Sequence, residues 1–564
     1  MLLLLALEFL AYWRALVLAV KLPSGRRLAG VIVGGACLFR AILLPSIPLH
    51  EIDIYRYIWD GAVLAEGVSP YRYAPQQVLD AVGTGTASDD ADLWRLVALQ
   101  GRSESLAYSL GRIHYADLPS PYPVVSQAVF ALAGELTPET ASPHARMVLM
   151  KLLLVLFDLA TVLLVIALVQ EVGLHVGWSI AYGWCPLVLK EFANSGHLDS
   201  IAVFLTTLAL WLLVKMGGRA KASGGLAKLA SAVGVGSVLA LAIGAKLYPI
   251  VLAPLFAALW WRQCGGLAMS SGVLATAMIS LGLLFPMVRS SSDNSAEAVA
   301  SAAVESPLPL GVPGEPPVVD QSLIDLPPPR AEVDPSAGIR AFLKHWEMND
   351  LIFMVVLENL RPQAEVPLSA RPWFAVVPDA WSRALVARWT VMVRRLESAV
   401  RGADKTRFVE PVDSPQMMKD SSFLLTRVIT GGLFAAAALW LAWRAAGQAD
   451  PLVWGRAAML TLAWFWLTCP TQNPWYWCWV LPLLPFARYR TWYVVAACSL
   501  LYYLRFWFSA HYPDPPVLGT RYNGANFFYF VVVWIEFAPF FLALTAEWWL
   551  YRRGRLAAES PSKR

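Results

Sequence analysis

Charged side chains are scarce in this chain. Asp, Glu, Lys and Arg account for 15% of its 564 residues, whereas 57% of the residues are hydrophobic. A soluble protein of this length could not cover its surface with so few charges, and apolar runs near membrane-spanning length recur along the sequence. We therefore expect an all-α polytopic protein that lies in a lipid bilayer.

The cysteines and glycines argue against several common kinds of site. The six cysteines are scattered and form no CxxC pair, so the sequence indicates neither a disulfide framework nor a zinc site. It contains no Gly-rich phosphate loop or dinucleotide-binding fingerprint, and no basic stripe that would suggest a nucleic-acid partner. We expect no certain cofactor; a divalent metal stays open, although no strong ligand set supports one.

The apolar runs predict about thirteen transmembrane helices. With an external N-terminus, the Lys and Arg residues at 21–27, 215–228, 262, 444–456, 488–490 and 552–555 all fall on one side, as the positive-inside rule requires of cytoplasmic loops. The first run lacks a basic leader and a cleavage site, which indicates a retained helix. The candidate spans are 2–21, 28–47, 146–169, 176–193, 198–216, 229–245, 248–262, 267–288, 423–444, 456–470, 477–490, 491–509 and 527–550.

This predicted topology divides the chain into five regions and places the outer loops on the side of the membrane opposite the basic loops. The segment 124–140 fits only as a re-entrant or surface-lying helix. The other short outer loops are 194–197, 246, 471–476 and 510–526. The regions are an N-terminal membrane module 1–288 with an acidic outer loop 48–145, a Pro/Ser-rich insert 289–336, an outer region 337–422, C-terminal helices 423–551 and a basic cytoplasmic tail 552–564. We expect the insert to be disordered. We expect the region 337–422 to pack on the membrane domain.

The run 50–61 places Glu51, Asp53 and Asp60 beside Arg56, directly after a predicted span. Ionisable groups at the lip of a span are costly and indicate function. A carboxylate under a partly apolar roof has a raised pKa and can act as a general base near neutral pH. The alternative is structural: an interfacial acid paired with Arg56, or a helix cap at Asp60.

Two further aromatic motifs lie in the same predicted outer loop. The run 67–75 contains Tyr71 and Arg72 between prolines. The Pro-Tyr-Pro sequence at 121–123 is stiff, because proline fixes its own φ and restricts the residue before it, and it would hold Tyr122 in place. Tyr122 is either a wall of a substrate site or part of a rigid lead-in to the next helix.

The turn 191–199 concentrates polar side chains between two spans. His197 and Asp199 are metal-ligand types, but two ligands without a third do not make a site. Helix capping by Asn194 and Asp199, or a hydrogen-bonding role toward a substrate, are the competing interpretations.

Two cations occupy positions that the positive-inside rule disfavours. Lys246, in the sequence Lys-Leu-Tyr-Pro with Tyr248, and Arg505 both lie near the predicted outer face. Each could extend its charge to the interface along an apolar stem, or it could neutralise a lipid phosphate.

The turn 470–477 combines amides with flat aromatic rings. Gln472 and Asn473 can bond sugar hydroxyls, while a ring such as that of Trp475 can pack on the sugar's axial hydrogens. An interfacial aromatic belt would explain Trp475, but it would not explain the amides.

Together these motifs resemble the GT-C-type integral-membrane glycosyltransferases of bacteria, in particular the polyprenyl-phosphate-mannose-dependent mannosyltransferases. The resemblance is carried by acid-Ile-Tyr-Arg-Tyr-Ile-Trp-Asp-Gly from Asp53, Gly-Val-Ser-Pro-Tyr-Arg-Tyr-Ala-Pro from Gly67, and the Asn-Ser-Gly-His-Leu-Asp, Lys-Leu-Tyr-Pro and Gln-Asn-Pro-Trp elements. It covers residues 1–290 and 337–550.

The resemblance implies inverting transfer of a hexose, with mannose expected, from a polyprenyl-phosphate donor to a glycan or glycolipid hydroxyl at the outer (periplasmic) face of the cytoplasmic membrane. Asp53 matches the acid that deprotonates the acceptor, with Glu51 as its rival. Lys246 and Arg505 would hold the carrier phosphate. The residues expected to bind substrate are Arg56, Tyr57, Asp60, Tyr71, Arg72, Tyr122, His197, Asp199, Lys246, Tyr248, Gln472, Asn473, Trp475 and Arg505.

The sequence leaves two other functions open. A transporter or flippase of lipid-linked sugars would show half-sequence repeats and ionisable residues at mid-membrane depth. A membrane scaffold would use the long outer region to bind a partner.

Overall fold

A computed structural model describes residues 2–84, 90–219, 224–288, 336–338, 341, 347–364, 366–401, 411–412 and 414–559. These residues form helices and connecting turns, with no strand among them; a single isolated β-bridge joins Met348 to Thr471. Residues 289–335, which make up nearly all of the insert predicted to be disordered, lie outside the described residues, as do the last residues of the basic tail.

Seven described helices are long and apolar enough to cross a membrane, each with at least 20 residues. They confirm the prediction of an all-α, multi-pass fold. Their ends carry ordinary capping signals: Ser142 and Ser414, for example, each accept a backbone N–H of the first turn that follows them. The seven are Pro143–Glu171, Asp199–Gly218, Gly225–Ala245, Gly266–Val288, Pro415–Ala446, Arg490–His511 and Gly524–Arg553.

Four other predicted spans are shorter or more charged helices. They are Leu2–Ala19, Arg26–Leu43, Ala253–Cys264 and Pro451–Thr468. The segments 176–193 and 477–490, predicted as continuous spans, are instead broken into short 3₁₀, α and π turns. Pro186, Pro482 and Pro485 lie in these segments, and proline removes a helix hydrogen bond. The count of thirteen therefore stays a prediction.

The segment predicted to be re-entrant or surface-lying contains the helix Val124–Leu136. Its 13 residues extend about 20 Å, which is too short to cross a bilayer. It packs closely against the helix Asp53–Ala65: a methyl group at Gly61 would lie 2.2 Å from the carbonyl oxygen of Phe130. This contact leaves no room for a side chain and fixes the helix that begins at Asp53.

The loops predicted to be on the outer side meet at one end of the molecule, which we call the motif pole. The Leu49 N–H donates to the Asn194 side chain at 3.1 Å, and the Gln472 N–H donates to the Met348 carbonyl at 2.8 Å. Segments that are far apart in sequence thus converge there.

The loops predicted to be cytoplasmic meet at the opposite helix ends, which we call the basic pole. A His175 ring nitrogen lies 2.8 Å from the Leu22 carbonyl, and Arg456 donates to the Phe486 carbonyl at 3.2 Å. Arginines at this pole lie over aromatic rings, as Arg262 does over Trp443 at 5.1 Å.

Candidate functional site

A cleft of about 530 Å³ opens at the motif pole, and Asp53 is one of its walls. Asp53 is the first residue of its helix and is half-buried, so its carboxylate can meet both solvent and a bound molecule. The first outer loop and Gly338, two residues after the insert, supply the lining. The lining residues are Ile52, Asp53, Arg56, His114, Tyr115, Leu118, Pro121, Tyr122 and Gly338.

Arg56 lines the cleft, whereas Asp60 lies behind it. The Arg56 guanidinium donates to Asp60 at 2.8 Å and to the Leu118 carbonyl at 2.9 Å, and Gln127 donates to the other Asp60 oxygen at 3.3 Å. Burial raises the pKa of Asp60, and the charge of Arg56 opposes that rise. This is the structural alternative raised for the acid run: the pair braces the loop.

The tyrosines of the first loop form one wall around Tyr122. Tyr71 donates to the Tyr122 carbonyl at 2.7 Å, and the buried Tyr57 ring stands edge-on to Tyr122 at 5.1 Å and stacks on Phe130 at 4.7 Å. Burial, and secondly the negative charge of Asp53, hold the pKa of Tyr122 well above its ordinary value. Tyr122 is therefore a neutral ring next to Asp53, held by two partners.

Arg72 points away from the cleft. Its guanidinium forms ion pairs with Asp92 and, at 3.6 Å, with Asp90. Arg72 was predicted to bind substrate, but the structure places it in a contact that ties the aromatic run to the helix Ala91–Arg102. The sequence could not indicate this, because the partner acids lie about twenty residues further along the chain.

Lys246 and Asp199 form a tight ion pair. The Lys246 ammonium lies 2.8 and 2.7 Å from the two Asp199 oxygens, and the Trp479 indole donates to the same carboxylate at 2.6 Å. The ammonium also lies 4.5 Å from the centre of the Tyr476 ring. The charge that the sequence assigned to a carrier phosphate is thus balanced by an internal carboxylate.

Tyr248 and Trp479 complete this cluster. Their rings stack at 4.2 Å, and the Tyr248 hydroxyl hydrogen-bonds with Thr206 at 3.2 Å. Trp479 was missed by the sequence analysis, because a tryptophan in an apolar run is ordinary.

His197 packs between an aromatic ring and a carboxylate. Its ring stacks on Trp475 at 4.4 Å, and its Nε2 lies 3.4 Å from a Glu191 carboxylate oxygen. Within the described part of the chain, no group of three or more His, Cys, Asp or Glu residues is placed to hold a metal ion.

The amides of the turn 470–477 face inward rather than toward the cleft. The Gln472 side chain donates to the carbonyls of Leu467 and Cys469 at 3.0 and 3.2 Å, which caps the end of the helix Pro451–Thr468. Asn473 is buried as well. These contacts give Gln472 a structural role, which the sequence analysis had not considered for it, whereas the Asn473 Oδ1 atom is buried without a hydrogen-bond partner among the described residues.

Arg505 differs from Lys246 in its surroundings. Its guanidinium lies 5.8 Å from the centre of the Tyr529 ring, and no ion pair joins it to any carboxylate among the described residues. Burial raises the pKa of Tyr115, a cleft residue; the positive charge of Arg505 lowers it, and the negative charges of Asp53 and Asp117 raise it.

Glu51 is not among the residues that line the cleft. Its Oε1 is buried without a hydrogen-bond partner, although part of the residue reaches the surface. Burial, followed by the charge of Asp53, raises the pKa of Glu51 well above its ordinary value, and the cations Lys190 and Arg505 oppose the rise only in part. Of the two candidate bases, only Asp53 therefore lines the cleft. Glu51 favours its protonated form, in which it cannot accept a proton.

Lys190 and Glu191 form a buried cluster that the sequence analysis did not include among its sites. The Lys190 ammonium lies 3.2 Å from Glu191 and close to the Tyr503 hydroxyl, which donates to Glu191 at 2.7 Å. The signal was available: adjacent ionisable residues inside a predicted apolar span are rare.

No protein-family model matches this chain, and no curated protein matches it either. The structure itself establishes a helical protein with seven helices suited to crossing a membrane, and a cleft at one end of it.

Proposed function

We propose that the chain is a GT-C-like membrane glycosyltransferase with thirteen spans and a catalytic first outer loop. It would transfer a hexose, with mannose expected, from a polyprenyl-phosphate donor to a glycan or glycolipid hydroxyl, with inversion. The observation that carries the proposal is the cleft at the motif pole, in which the half-buried Asp53 carboxylate lies among Arg56, Tyr115 and Tyr122.

The proposed reaction needs a base and an anion-binding group. Asp53 accepts the proton of the acceptor hydroxyl, whose oxygen attacks the anomeric carbon as the bond from that carbon to the phosphate oxygen breaks. The phosphate leaves as an anion, and a preformed cation stabilises the charge that develops. Arg505 fits this role better than Lys246, because Asp199 already balances the charge of Lys246.

The test uses purified protein in lipid nanodiscs, labelled polyprenyl-phosphate-mannose and a membrane glycolipid pool. Asp53→Asn should lower transfer by about 10²- to 10⁴-fold, because a positioned general base contributes about that much. Glu104→Gln is the matched control, since Glu104 is an exposed acid of the same loop and does not line the cleft. Full activity of Asp53→Asn, or equal losses in both variants, would contradict the assignment.

The proposed orientation has its own test. In a background without the native cysteines, Asp117→Cys at the motif pole should react with a membrane-impermeant maleimide in intact cells. Gln448→Cys, an exposed position at the basic pole, should react only after the cells are opened. The reverse pattern would place the cleft on the cytoplasmic side.

One observation favours transport as a second candidate. Arg40 and Asp158 are fully buried inside helices and lie 2.6 Å apart, with Asp158 near the middle of Pro143–Glu171. Such residues often mark transport paths. This pair is also held by Tyr182 at 2.7 Å and by the Gly183 carbonyl at 2.8 Å, which is the arrangement of a fixed brace. Uptake of a lipid-linked sugar by proteoliposomes, abolished in Asp158→Asn but not in Asp53→Asn, would favour transport.

A further inference from the structure

The helix Asp379–Arg401 packs on the membrane domain by one face only. Val386 lies in a small apolar cluster with Leu425, and Thr390 donates to the Ser421 hydroxyl at 2.8 Å. Both partners belong to the motif-pole half of the span Pro415–Ala446. The helix therefore lies beside the point where this span begins.

The other face of the helix exposes large apolar side chains. Trp381 is 74% exposed, Leu385 49% and Leu396 59%, and Met392 lies between them at helical spacing. A contiguous apolar face of this kind is unfavourable in water and indicates a binding surface.

Two arginines are interleaved with this apolar face. Arg388 and Arg395 are exposed, and each is three residues after Leu385 or Met392, on the same side of the helix. Neither forms an ion pair with a carboxylate in the described part of the chain. Arginine beside tryptophan and leucine is typical of a helix that lies at the boundary between lipid headgroups and acyl chains.

The span on which the helix packs continues this surface. Leu424 and Val428 are exposed large apolar residues that directly precede the contact residues Leu425 and Ile429, so they flank the packed face. A span of this length exposes such residues to lipid. Exposed apolar residues therefore occur both on the helix Asp379–Arg401 and on the membrane-length helix against which it packs, which favours a bilayer over a soluble partner.

We propose that helix Asp379–Arg401 lies in the headgroup–acyl boundary of the leaflet at the motif pole, where Arg388 and Arg395 bind the headgroups of anionic phospholipids. The arginines supply the charge complementarity, and Trp381, Leu385, Met392 and Leu396 supply the apolar contact. This surface does not depend on the transfer reaction, since none of its residues lines the cleft.

The test places a bimane label at Leu396→Cys in full-length protein that lacks the native cysteines, and reconstitutes it in nanodiscs. Brominated lipid in the discs should quench the label, whereas a label at Ser398→Cys, an exposed polar position, should be quenched by aqueous iodide instead. Brominated phosphatidylglycerol should quench more strongly than brominated phosphatidylcholine, since one arginine near an anionic surface contributes a factor of about five in association.

The variant Arg388→Gln/Arg395→Gln should reduce the lipid preference toward unity. Arg383→Gln is the matched control: Arg383 is two residues from Leu385 and hence on the far side of the helix. Iodide quenching at both labels would overturn the bilayer contact. Shielding of the 396 label from both iodide and brominated lipid would indicate a protein partner, such as a second copy, and would also overturn it. Equal quenching by the two lipids would overturn the headgroup assignment.

Discussion

At the motif pole, Asp199 is buried and binds both Lys246 and Trp479, whereas at the basic pole Arg553 is exposed and lies 3.6 Å from the centre of the Trp549 ring. In the first case a charge has left water and needs partners with fixed geometry. In the second it stays hydrated and only rests on an interfacial ring. The comparison indicates that the charged groups of the motif pole are held in fixed positions by their partners. Those of the basic pole instead set how deeply the helix ends lie in the membrane.

This difference between the two poles should appear in how much a substitution at each pole lowers the free energy of unfolding. Removing one partner of a buried ion pair leaves the other charge uncompensated, which costs about 3–5 kcal/mol. An exposed cation over an aromatic ring contributes about 0.5–1 kcal/mol. The same kind of substitution at the two poles should therefore give clearly separate effects.

The largest effect is expected for Lys246→Met. It leaves the Asp199 carboxylate buried, with the Trp479 indole as its remaining partner among the contacts described above, so the free energy of unfolding should fall by about 3 kcal/mol. Thermal unfolding in detergent, followed by tryptophan fluorescence, measures this loss. The double variant Asp199→Asn/Lys246→Met removes both charges and should recover most of it. If the double variant is less stable than Lys246→Met, the charge explanation is wrong.

A smaller, pH-dependent effect is expected at Glu51. Its pKa is raised in the folded protein from an ordinary value of 4.5, so above that value the folded state holds a proton that the unfolded state has lost. Stability should therefore fall as the pH rises through this window. Glu51→Gln should flatten the decline of the unfolding temperature as the pH rises above 4.5. Glu104→Gln, at an exposed acid of the same loop, should leave the slope as it is.

The sequence was sufficient to predict an all-α, multi-pass fold and the convergence of the unusual motifs, because hydropathy and the positions of Lys and Arg are local properties. It was not sufficient for the partners of those motifs. The pairing of Lys246 with Asp199, or of Arg72 with Asp92, depends on helix packing across long stretches of chain. The broken helix around Pro186 was missed because its residues are as apolar as those of a span.

The smallest effect is expected for Arg553→Gln at the basic pole. The change removes a cation over the Trp549 ring, but both groups stay hydrated, so the free energy of unfolding should change by no more than about 1 kcal/mol. The proposed transfer activity in nanodiscs should be unchanged, since the cleft lies at the other pole. Arg553→Lys, which keeps the charge, is the matched control. A loss comparable to that of Lys246→Met would mean that the basic pole is also built on fixed ionic contacts, and the contrast between the poles would not hold.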